Sequence, residues 1–348
     1  MNRPKEITIY DIAKALNISP ATVSRGLKDH PGIRKDTKKK IHNAAQKMGY
    51  QQNTFASNLR RKNSNTIGVI VPRLDSYFMS SVIAGMEKVA NAAGYNLLIS
   101  QSQESSKKEI ESTKTMFNSR VDGLLISLSA ETKDFSHFDI IFKRHLPLIF
   151  FDRVVELPHC TSIVINNERA GYDATSHLIG QGCKKIVLIT GSLNRNVYAD
   201  RLKGYERALT ENQIEFDSNL VFANNEKVLI SYLSDKAGAE VAQQILKMPK
   251  LPDGIFATND TSAVACIREL KQAGIRIPQD IAVVGFNNDP IARVIEPNLT
   301  TVHYPGEEMG ELAATTLING LKNLSSGNLN TMVIRHELII RQSSLKKS

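Results

Sequence analysis

The sequence predicts a small helical head followed by a larger α/β module with two lobes built on parallel sheets. The length of 348 residues exceeds one typical domain. Positive charge is concentrated in the first 62 residues. Near residue 67 the hydrophobic pattern changes from helical periodicity to short apolar runs separated by amphipathic segments. Two units with different roles are therefore expected.

The head begins with the pattern of a helix-turn-helix. Thr8 and Asp11 have the spacing of a capping box, and Ile12 and Leu16 lie on one apolar stripe. A second helix is predicted from Ser19, a preferred N-cap. Its first residues, apart from arginine, have short side chains that fit a DNA major groove: Pro20, Ala21, Thr22, Ser24 and Arg25. An ordinary helical hairpin is the alternative.

A third helix is expected to open at Asp36 or Thr37 and to end near Gly49. Residues 1–62 contain fourteen Lys and Arg against four Asp and Glu, a net charge of +10, whereas the whole chain carries +9. The rest of the chain is therefore almost neutral. Charge confined to a head with this pattern favours phosphate binding over an ordinary solvated surface.

Residues 51–62 connect the head to the rest of the chain. Asn53 or Thr54 can cap a short helix that runs to Leu59, which is too short to be stable alone. The segment is expected to order only when something holds it. A plain polar linker is the alternative.

The larger module is predicted to hold parallel sheets covered on both faces, because its apolar runs are continuous rather than alternating. The rhythm of strand and helix restarts near Ser162, which indicates two similar lobes. The predicted strands are 67–71, 95–100, 122–127, 148–151, 162–165, 186–190, 220–223, 254–258 and 281–285.

Polar and aromatic side chains follow five of these strands. Ligands of open α/β sheets bind beyond the carboxyl ends of strands. Carboxylates, amides and arginine bind sugar hydroxyls, and aromatic rings pack on the apolar face of a sugar. Loop tips are also polar by default, which is the alternative explanation. The residues are Asp75 to Phe78, Asp152 and Arg153, residues 194–201, Asn259 and Asp260, and Asn287 to Asp289.

Several function classes have no support in the sequence. The histidines do not form a metal-binding motif, and the phosphate-binding glycine motifs and the Gly-x-Ser-x-Gly elbow are missing. Three widely spaced cysteines are typical of reduced thiols. No stretch of 18 apolar residues occurs, and the N-terminus has no signal-peptide pattern. We expect a cytoplasmic protein without metal, cofactor, membrane segment or enzymatic activity.

Several motifs together resemble the LacI/GalR family of bacterial transcription regulators. They are Ile9-Tyr-Asp-Ile-Ala13, Ser19-Pro-Ala-Thr-Val-Ser-Arg25, Ala56-Ser-Asn-Leu59, Ser64-Asn-Thr-Ile-Gly-Val-Ile-Val-Pro72, Arg201-Leu-Lys-Gly-Tyr205, Thr258-Asn-Asp260 and Val284-Gly-Phe-Asn287.

The resemblance implies a DNA-binding head over 1–50, a hinge helix over 51–62 and a ligand-binding and dimerisation domain over 63–348. That domain would resemble periplasmic sugar-binding proteins. Its N-lobe would hold 66–165 and 297–326, and its C-lobe 166–296 and 327–343.

By position in these motifs, Arg25 is expected to contact guanine and Leu59 to wedge into the minor groove. The hinge departs from the family at Gln52, where Pro is common, and at Ser57, where Arg is common. The residues expected to contact DNA are Thr8, Ser19, Pro20, Ala21, Thr22, Ser24, Arg25, Asn53, Ala56 and Leu59.

The ligand is expected to be a sugar or a sugar phosphate. Asn287 stands where Asp is frequent in the family, so the identity of the sugar stays open. The expected contacts, including Arg153 from the strand-end argument, are Tyr77, Phe78, Asp152, Arg153, Arg201, Asn259 and Asn287.

The resulting prediction is a homodimeric repressor of a pseudo-palindromic operator, controlled by a small carbohydrate effector. One alternative is an activator or global regulator of the same family that uses a protein co-regulator. An alternative from another class is a sugar-processing enzyme with a DNA-binding head, for which the sequence offers no motif.

Overall fold

The computed structural model describes residues 7–50, 63–158, 160–223, 235–322 and 331–346. Contacts divide the chain into two compact units, Met1–Ser64 and Asn65–Ser348. The predicted hinge helix at 51–62 lies outside the described residues. In the part of the chain that is described, no helix is long and apolar enough to cross a membrane.

The first unit contains three helices: α1 (Ile9–Leu16), α2 (Pro20–Leu27) and α3 (Lys35–Lys47). Ile12, Val23 and Ile41, one from each helix, are fully buried and form its core. The third helix begins one residue before the predicted Asp36. The tight turn between α1 and α2 is the one that the sequence predicts.

The second unit contains two six-stranded sheets, each in its own lobe. The first sheet has the order β11-β5-β4-β3-β1-β2, and all its strands are parallel. Its strands are β1 (Thr66–Val71), β2 (Asn96–Gln101), β3 (Gly123–Ile126), β4 (Leu148–Phe151), β5 (Thr161–Ile165) and β11 (Thr331–Ile334). The helices of this first lobe are α4 (Tyr77–Ala92), α5 (Ser106–Asn118), α6 (Asp139–Phe142) and α11 (Gly306–Leu321).

The second sheet has the order β12-β10-β9-β8-β6-β7, and only the pairing of β12 with β10 is antiparallel. Its strands are β6 (Ile186–Ile189), β7 (Val221–Phe222), β8 (Gly254–Ala257), β9 (Ala282–Asn287), β10 (Thr300–His303) and β12 (Glu337–Ile339). The helices of this second lobe are α7 (Asn167–Gly180), α8 (Asn196–Glu211), α9 (Asp235–Leu246) and α10 (Asp260–Gln272).

The nine predicted strands are confirmed, and the two-lobed α/β fold with them. Two segments lie in the opposite sheet from the one expected. The resemblance implies that 297–326 belongs to the first lobe, but residues 300–303 form β10 of the second sheet. It implies that 327–343 belongs to the second lobe, but residues 331–334 form β11 of the first sheet. Polar anchors hold β10 there, because Thr301 donates to Asp260 at 2.6 Å and Thr300 donates to the carbonyl of Arg341 at 2.8 Å.

Each lobe contains a helix pair whose backbones approach closely at a glycine. A Cβ on Gly310 of α11 would lie 1.9 Å from the carbonyl oxygen of Val82 in α4, and one on Gly204 of α8 would lie 2.0 Å from that of Glu168 in α7. Both clashes are with backbone atoms, which cannot rotate away. These glycines therefore set the distance between the paired helices.

We expect Gly310→Ala to lower the free energy of unfolding by about 3 kcal/mol, because the two helices must separate. Gly320→Ala in the same helix is the control, since nothing lies within 4 Å of its Cβ position. Better helix propensity should leave that variant equal to the native protein or up to about 1 kcal/mol more stable. Urea unfolding measures both, and equal stabilities for the two variants would contradict the close-contact argument.

Candidate functional site

In the first unit, local hydrogen bonds fix the two helices of the helix-turn-helix. The backbone N–H of Thr8 donates to Asp11 Oδ2 at 2.8 Å, and the Thr8 hydroxyl donates to the same oxygen at 2.7 Å. Asn17 ends α1 in the left-handed region with a φ of 50°. Ser19 caps α2 by accepting from the N–H of Thr22 at 3.1 Å. The capping predictions for both helices are confirmed.

The outward face of α2 presents few polar groups. Ala21 and Arg25, one turn apart, are exposed, while Pro20, Thr22 and Ser24 are half-buried. Arg25 forms no ion pair with any described residue, so its guanidinium is available to a base or a phosphate. The expected contacts Asn53, Ala56 and Leu59 lie outside the described residues.

The basic start of α3 has a partner within the head. Lys38 Nζ lies 2.7 Å from Asp29 Oδ1 and donates to the Asp29 carbonyl at 3.0 Å. The lysine lowers the pKa of the Asp29 carboxyl. Lys38 thus holds the loop after α2 in place. Lys39 and Lys40 are exposed and contribute positive charge to the surface.

A cavity of about 450 Å³ lies between the two lobes of the second unit. Residues at the carboxyl ends of strands from both sheets line it, as the strand-end argument predicts. The seven residues predicted to bind the ligand all border this cavity: Tyr77, Phe78, Asp152, Arg153, Arg201, Asn259 and Asn287.

Asp152 lies at the end of β4 with a φ of 58°, in the left-handed region. Its Oδ2 accepts from the Ser127 hydroxyl at 3.1 Å and its Oδ1 from the Tyr304 hydroxyl at 3.0 Å. Burial raises its pKa, although Arg153 and Arg201 oppose the shift. Two hydroxyls therefore hold the carboxylate in place beside the cavity.

Arg153 forms hydrogen bonds with other side chains of this chain, which the sequence does not predict. Its Nη1 donates to both oxygens of the buried Glu104, at 2.7 and 2.9 Å, and its Nη2 donates to the Tyr198 hydroxyl at 3.3 Å. Burial lowers the pKa of Arg153, but the Glu104 carboxylate outweighs this effect and the pKa is raised. Arg153 borders the cavity as one half of a buried ion pair.

Arg201 is arranged differently, without a carboxylate partner among the described residues. Its Nε donates to Asn167 Oδ1 at 3.0 Å and its Nη1 to the Thr258 carbonyl at 3.1 Å. The guanidinium carbon lies 3.5 Å from the centroid of the Phe286 ring. Burial lowers its pKa, and nearby Tyr304 opposes the shift. Neutral groups thus hold the positively charged guanidinium of Arg201 beside the cavity.

Two asparagines complete the second lobe's side of the cavity. Asn259 caps α10 by accepting from the N–H of Ser262 at 3.2 Å, which fixes the orientation of its amide. Asn287 ends β9 with a φ of 109°, a conformation that L-residues rarely adopt. Such strain is concentrated at functional sites.

Comparisons with known proteins agree with both units. Residues 8–53 match the family described as "Bacterial regulatory proteins, lacI family", and residues 175–344 match a periplasmic binding protein-like domain. HTH-type transcriptional regulator RegA of Clostridium saccharobutylicum is 33% identical over 341 residues, which cover 97% of this chain and 99% of that protein. The chain belongs to the LacI family.

Two further relatives support this placement. The ribose operon repressor of Haemophilus influenzae is 30% identical over 338 residues, covering 97% of this chain and 98% of that protein. The lac repressor dimer bound to operator and the anti-inducer ONPF has a TM-score of 0.85 at 24% identity, covering 98% of this chain and 100% of that chain, and shows the same fold. This LacI-family chain is a DNA-binding regulator of transcription, and the relatives compared are regulators rather than enzymes.

The cavity of this LacI-family protein carries more acidic than basic groups. Arg73 pairs with Asp75, and Arg153 pairs with Glu104. The charged residues that border the cavity are Arg73, Arg153 and Arg201 against Asp75, Glu104, Asp152, Asp235 and Asp289. After the two pairs are discounted, Arg201 remains with Asp152, Asp235 and Asp289, and Asp152 also lies 4.0 Å from Arg153 Nε.

Hydrogen bonds join the lobes beside the cavity. Asn196 of the second lobe accepts from the N–H of Val154 at 2.9 Å and donates to the carbonyl of Asp152 at 3.1 Å. Arg195 Nη2 donates to the Thr132 carbonyl of the first lobe at 2.5 Å. A ligand that moves Asp152 therefore acts on the same segment that holds the lobes together.

The cavity residues that sequence reasoning missed include Glu104 and Tyr304, as well as the charged Arg73 and Asp235. Glu104 follows β2, so the strand-end argument would have found it if applied to that strand. Tyr304 follows β10, which was not predicted as a strand. Its ring stacks on Phe78 with centroids 4.2 Å apart.

Proposed function

We propose that this protein is a repressor that binds a pseudo-palindromic operator as a homodimer and responds to a neutral sugar. The observation that carries the effector proposal is the cavity between the lobes, where Asp152, Arg201, Asn259 and Asn287 meet around about 450 Å³. Carboxylate, guanidinium and amide groups in such a space match the hydroxyls of a mono- or disaccharide. We place its action in the cytoplasm, where it reaches the chromosome.

The charges support a neutral sugar over a sugar phosphate. A phosphate dianion needs several cations or N–H donors, and Arg201 is the cavity arginine that has no ion pair with a described carboxylate. Asp289, which has no ion pair with a described residue, and Asp152, whose Oδ2 lies 4.0 Å from Arg153 Nε, would repel a dianion. They are suited to accept hydrogen bonds from sugar hydroxyls.

Aromatic groups support a sugar as well. Tyr77 is 53% exposed at the start of α4, and Phe78 next to it is buried against Tyr304. An exposed ring beside polar groups can pack on the apolar face of a pyranose or furanose. The name of the ribose operon repressor, one of the relatives, agrees with a carbohydrate effector.

The link to DNA follows from the position of the cavity. A sugar that contacts both lobes changes their relative orientation and thereby the fraction of molecules that can hold operator DNA. This proposal includes the prediction that Leu59 of the hinge helix wedges into the minor groove of the operator.

A sugar panel tests the effector proposal. D-ribose, D-glucose, D-galactose, cellobiose and the phosphates of the monosaccharides are added to the full chain while melting temperature and operator binding are measured. We expect a neutral sugar to raise the melting temperature, since ligand at about 100 times its Kd adds about 2.7 kcal/mol, and to change operator affinity. A response to sugar phosphates alone would contradict the neutral-sugar proposal.

We expect Arg25→Ala to relax base preference at one operator position by about 1–3 kcal/mol, with binding to unrelated DNA nearly unchanged. Lys39→Ala on α3 is the control, because removal of an exposed positive charge that attracts phosphates weakens binding to all sequences alike. Binding to a set of single-base operator variants measures the difference. An equal loss on every sequence would identify Arg25 as a phosphate contact.

A further inference from the structure

Three polar residues end β9, and they have different roles. Asn288 points into the scaffold, since its Oδ1 accepts from Arg341 Nη2 at 2.7 Å and its amide lies 3.4 Å from His303 Nδ1. Asn287 and Asp289 border the cavity. The carboxylate that the family resemblance places at 287 is therefore found two residues later in this chain.

Asp289 is a buried carboxyl without full hydrogen bonding. It is 7% exposed, and its Oδ1 has no hydrogen-bond partner within the described part of the chain. It does not cap the 3-10 helix Pro290–Arg293 that it precedes. Its backbone N–H donates to Asp260 Oδ2 at 2.7 Å, which fixes the residue in place. A buried acceptor left unpaired is costly, and such costs persist where a ligand completes the site.

The surroundings do not neutralise this carboxylate. The charged or titratable groups on neighbouring elements are Asp260 of α10, Arg293 of the 3-10 helix, His303 of β10 and Arg341 after β12. None of them forms an ion pair with Asp289 in the described structure, and His303 and Arg341 lie against Asn288 instead. Burial raises the pKa of Asp289 to about 6, against the opposing effect of a hydrogen bond from Asn287. At neutral pH it is therefore mostly ionised, and its Oδ1 lacks a donor among the described residues.

We infer that Asp289 is a specificity-determining residue of the effector site, whose Oδ1 accepts a hydrogen bond from a hydroxyl of the sugar. The inference rests on the proposed neutral-sugar effector and adds to it the residue that selects one hydroxyl. Asn287 supports the carboxylate from the side, which explains an amide at a position where a second acid would repel Asp289.

The test uses Asp289→Asn in the full chain, with Glu240→Gln on the exposed face of α9 as the control for loss of one carboxylate. Without sugar, we expect Asp289→Asn to melt a few degrees higher than the native protein at pH 8, because an unpaired buried charge is gone. The difference should shrink as the pH falls below about 6, where Asp289 becomes protonated in the folded chain, and should vanish near pH 3, below its ordinary pKa of 3.8, where it is protonated in both folded and unfolded chains. Glu240→Gln should show neither change.

With sugar, the probes are D-ribose, D-glucose, D-galactose and cellobiose, followed by the deoxy analogues of whichever binds. We expect Asp289→Asn to bind that sugar about 10- to 100-fold more weakly than the native protein. On the native protein, one deoxy analogue should bind more weakly than the parent sugar by a similar factor. On Asp289→Asn, that analogue and the parent sugar should bind with almost equal affinity. This cycle identifies a direct contact, which a purely structural role would not produce.

The outcomes separate the inference from the proposed function. If no sugar binds the native chain, the proposed function fails and the inference with it. If a sugar binds native protein and Asp289→Asn equally, the inference alone is overturned. If Asp289→Asn does not fold, the native protein alone tests the inference. Its affinity for the parent sugar should exceed its affinity for one deoxy analogue, and this ratio should shrink below about pH 6. A ratio that stays constant with pH overturns the inference.

Discussion

An Arg201→Met variant is expected to bind the sugar effector at least about 100-fold more weakly than the native protein and to lose the sugar-dependent change in operator binding. The arginine is 3% exposed and is the cavity cation that no described carboxylate neutralises. Methionine keeps the apolar stem and removes every donor, together with the guanidinium that lies over the Phe286 ring. The loss therefore falls on polar contacts to the sugar.

Part of the effect of Arg201→Met is structural, and the design separates it. Asn167 Oδ1 and the Thr258 carbonyl lose their donors, which costs about 1–3 kcal/mol of stability for each group left unpaired. Arg207→Met on the same helix is the control, because Arg207 makes half-exposed ion pairs with Glu168 and Glu211. Titration calorimetry and urea unfolding measure both variants.

The sugar response decides how Arg201 acts. Arg207→Met should bind sugar like the native protein and lose about 1 kcal/mol of stability at most. If Arg201→Met binds sugar normally once its lower stability is taken into account, Arg201 holds the second lobe together and does not contact the effector.

The strands and the cavity could be predicted from sequence because both depend on local patterns. Buried parallel strands appear as continuous apolar runs such as 67–71 and 254–258, and their carboxyl ends must meet at one edge of each sheet. That rule places Tyr77 and Asp152 at one edge of the first sheet and Asn287 at one edge of the second, and the family resemblance implies that the two edges share one ligand site. The helix-turn-helix could be predicted for the same reason, since caps such as Ser19 act over a few residues.

Long-range pairing could not be predicted in this way. The four-residue strands β10 and β11 have no pattern that selects one sheet over the other, and tertiary anchors such as Thr301 with Asp260 decide the matter. The partner of Arg153 is equally remote, since Glu104 lies 49 residues away. The open carboxylate of Asp289 becomes visible only when its neighbours are placed.

The buried pair of Glu104 and Arg153 gives the second large prediction. We expect Arg153→Met to lower the free energy of unfolding by about 3–5 kcal/mol, because it leaves the Glu104 carboxylate buried without its cation. Glu104 also accepts from the N–H of Ala130 at 2.9 Å, so it fixes the loop after β3. Glu104→Gln should cost a similar amount or less, since it leaves the buried guanidinium with only the Asp152 carboxylate, 4.0 Å from its Nε, while the amide oxygen still accepts from Ala130.

The double variant Glu104→Gln/Arg153→Met should be more stable than the sum of the two losses implies, by about 2 kcal/mol or more, because neither charge is left alone. Arg169→Met is the matched control, since its ion pair with Asp173 at 2.8 Å is exposed and worth about 0–1 kcal/mol. Urea unfolding of the four variants and the native protein gives the coupling energy.

Sugar binding by the double variant then separates two roles for Arg153. A scaffold role predicts that the double variant, with stability largely restored, binds the effector within a few-fold of the native protein. The sequence predicts that Arg153 contacts the ligand. If Arg153→Met keeps its stability and loses sugar binding, Arg153 contacts the effector. Its guanidinium would then pair with Glu104 only while the cavity is empty and would turn to the sugar when it binds.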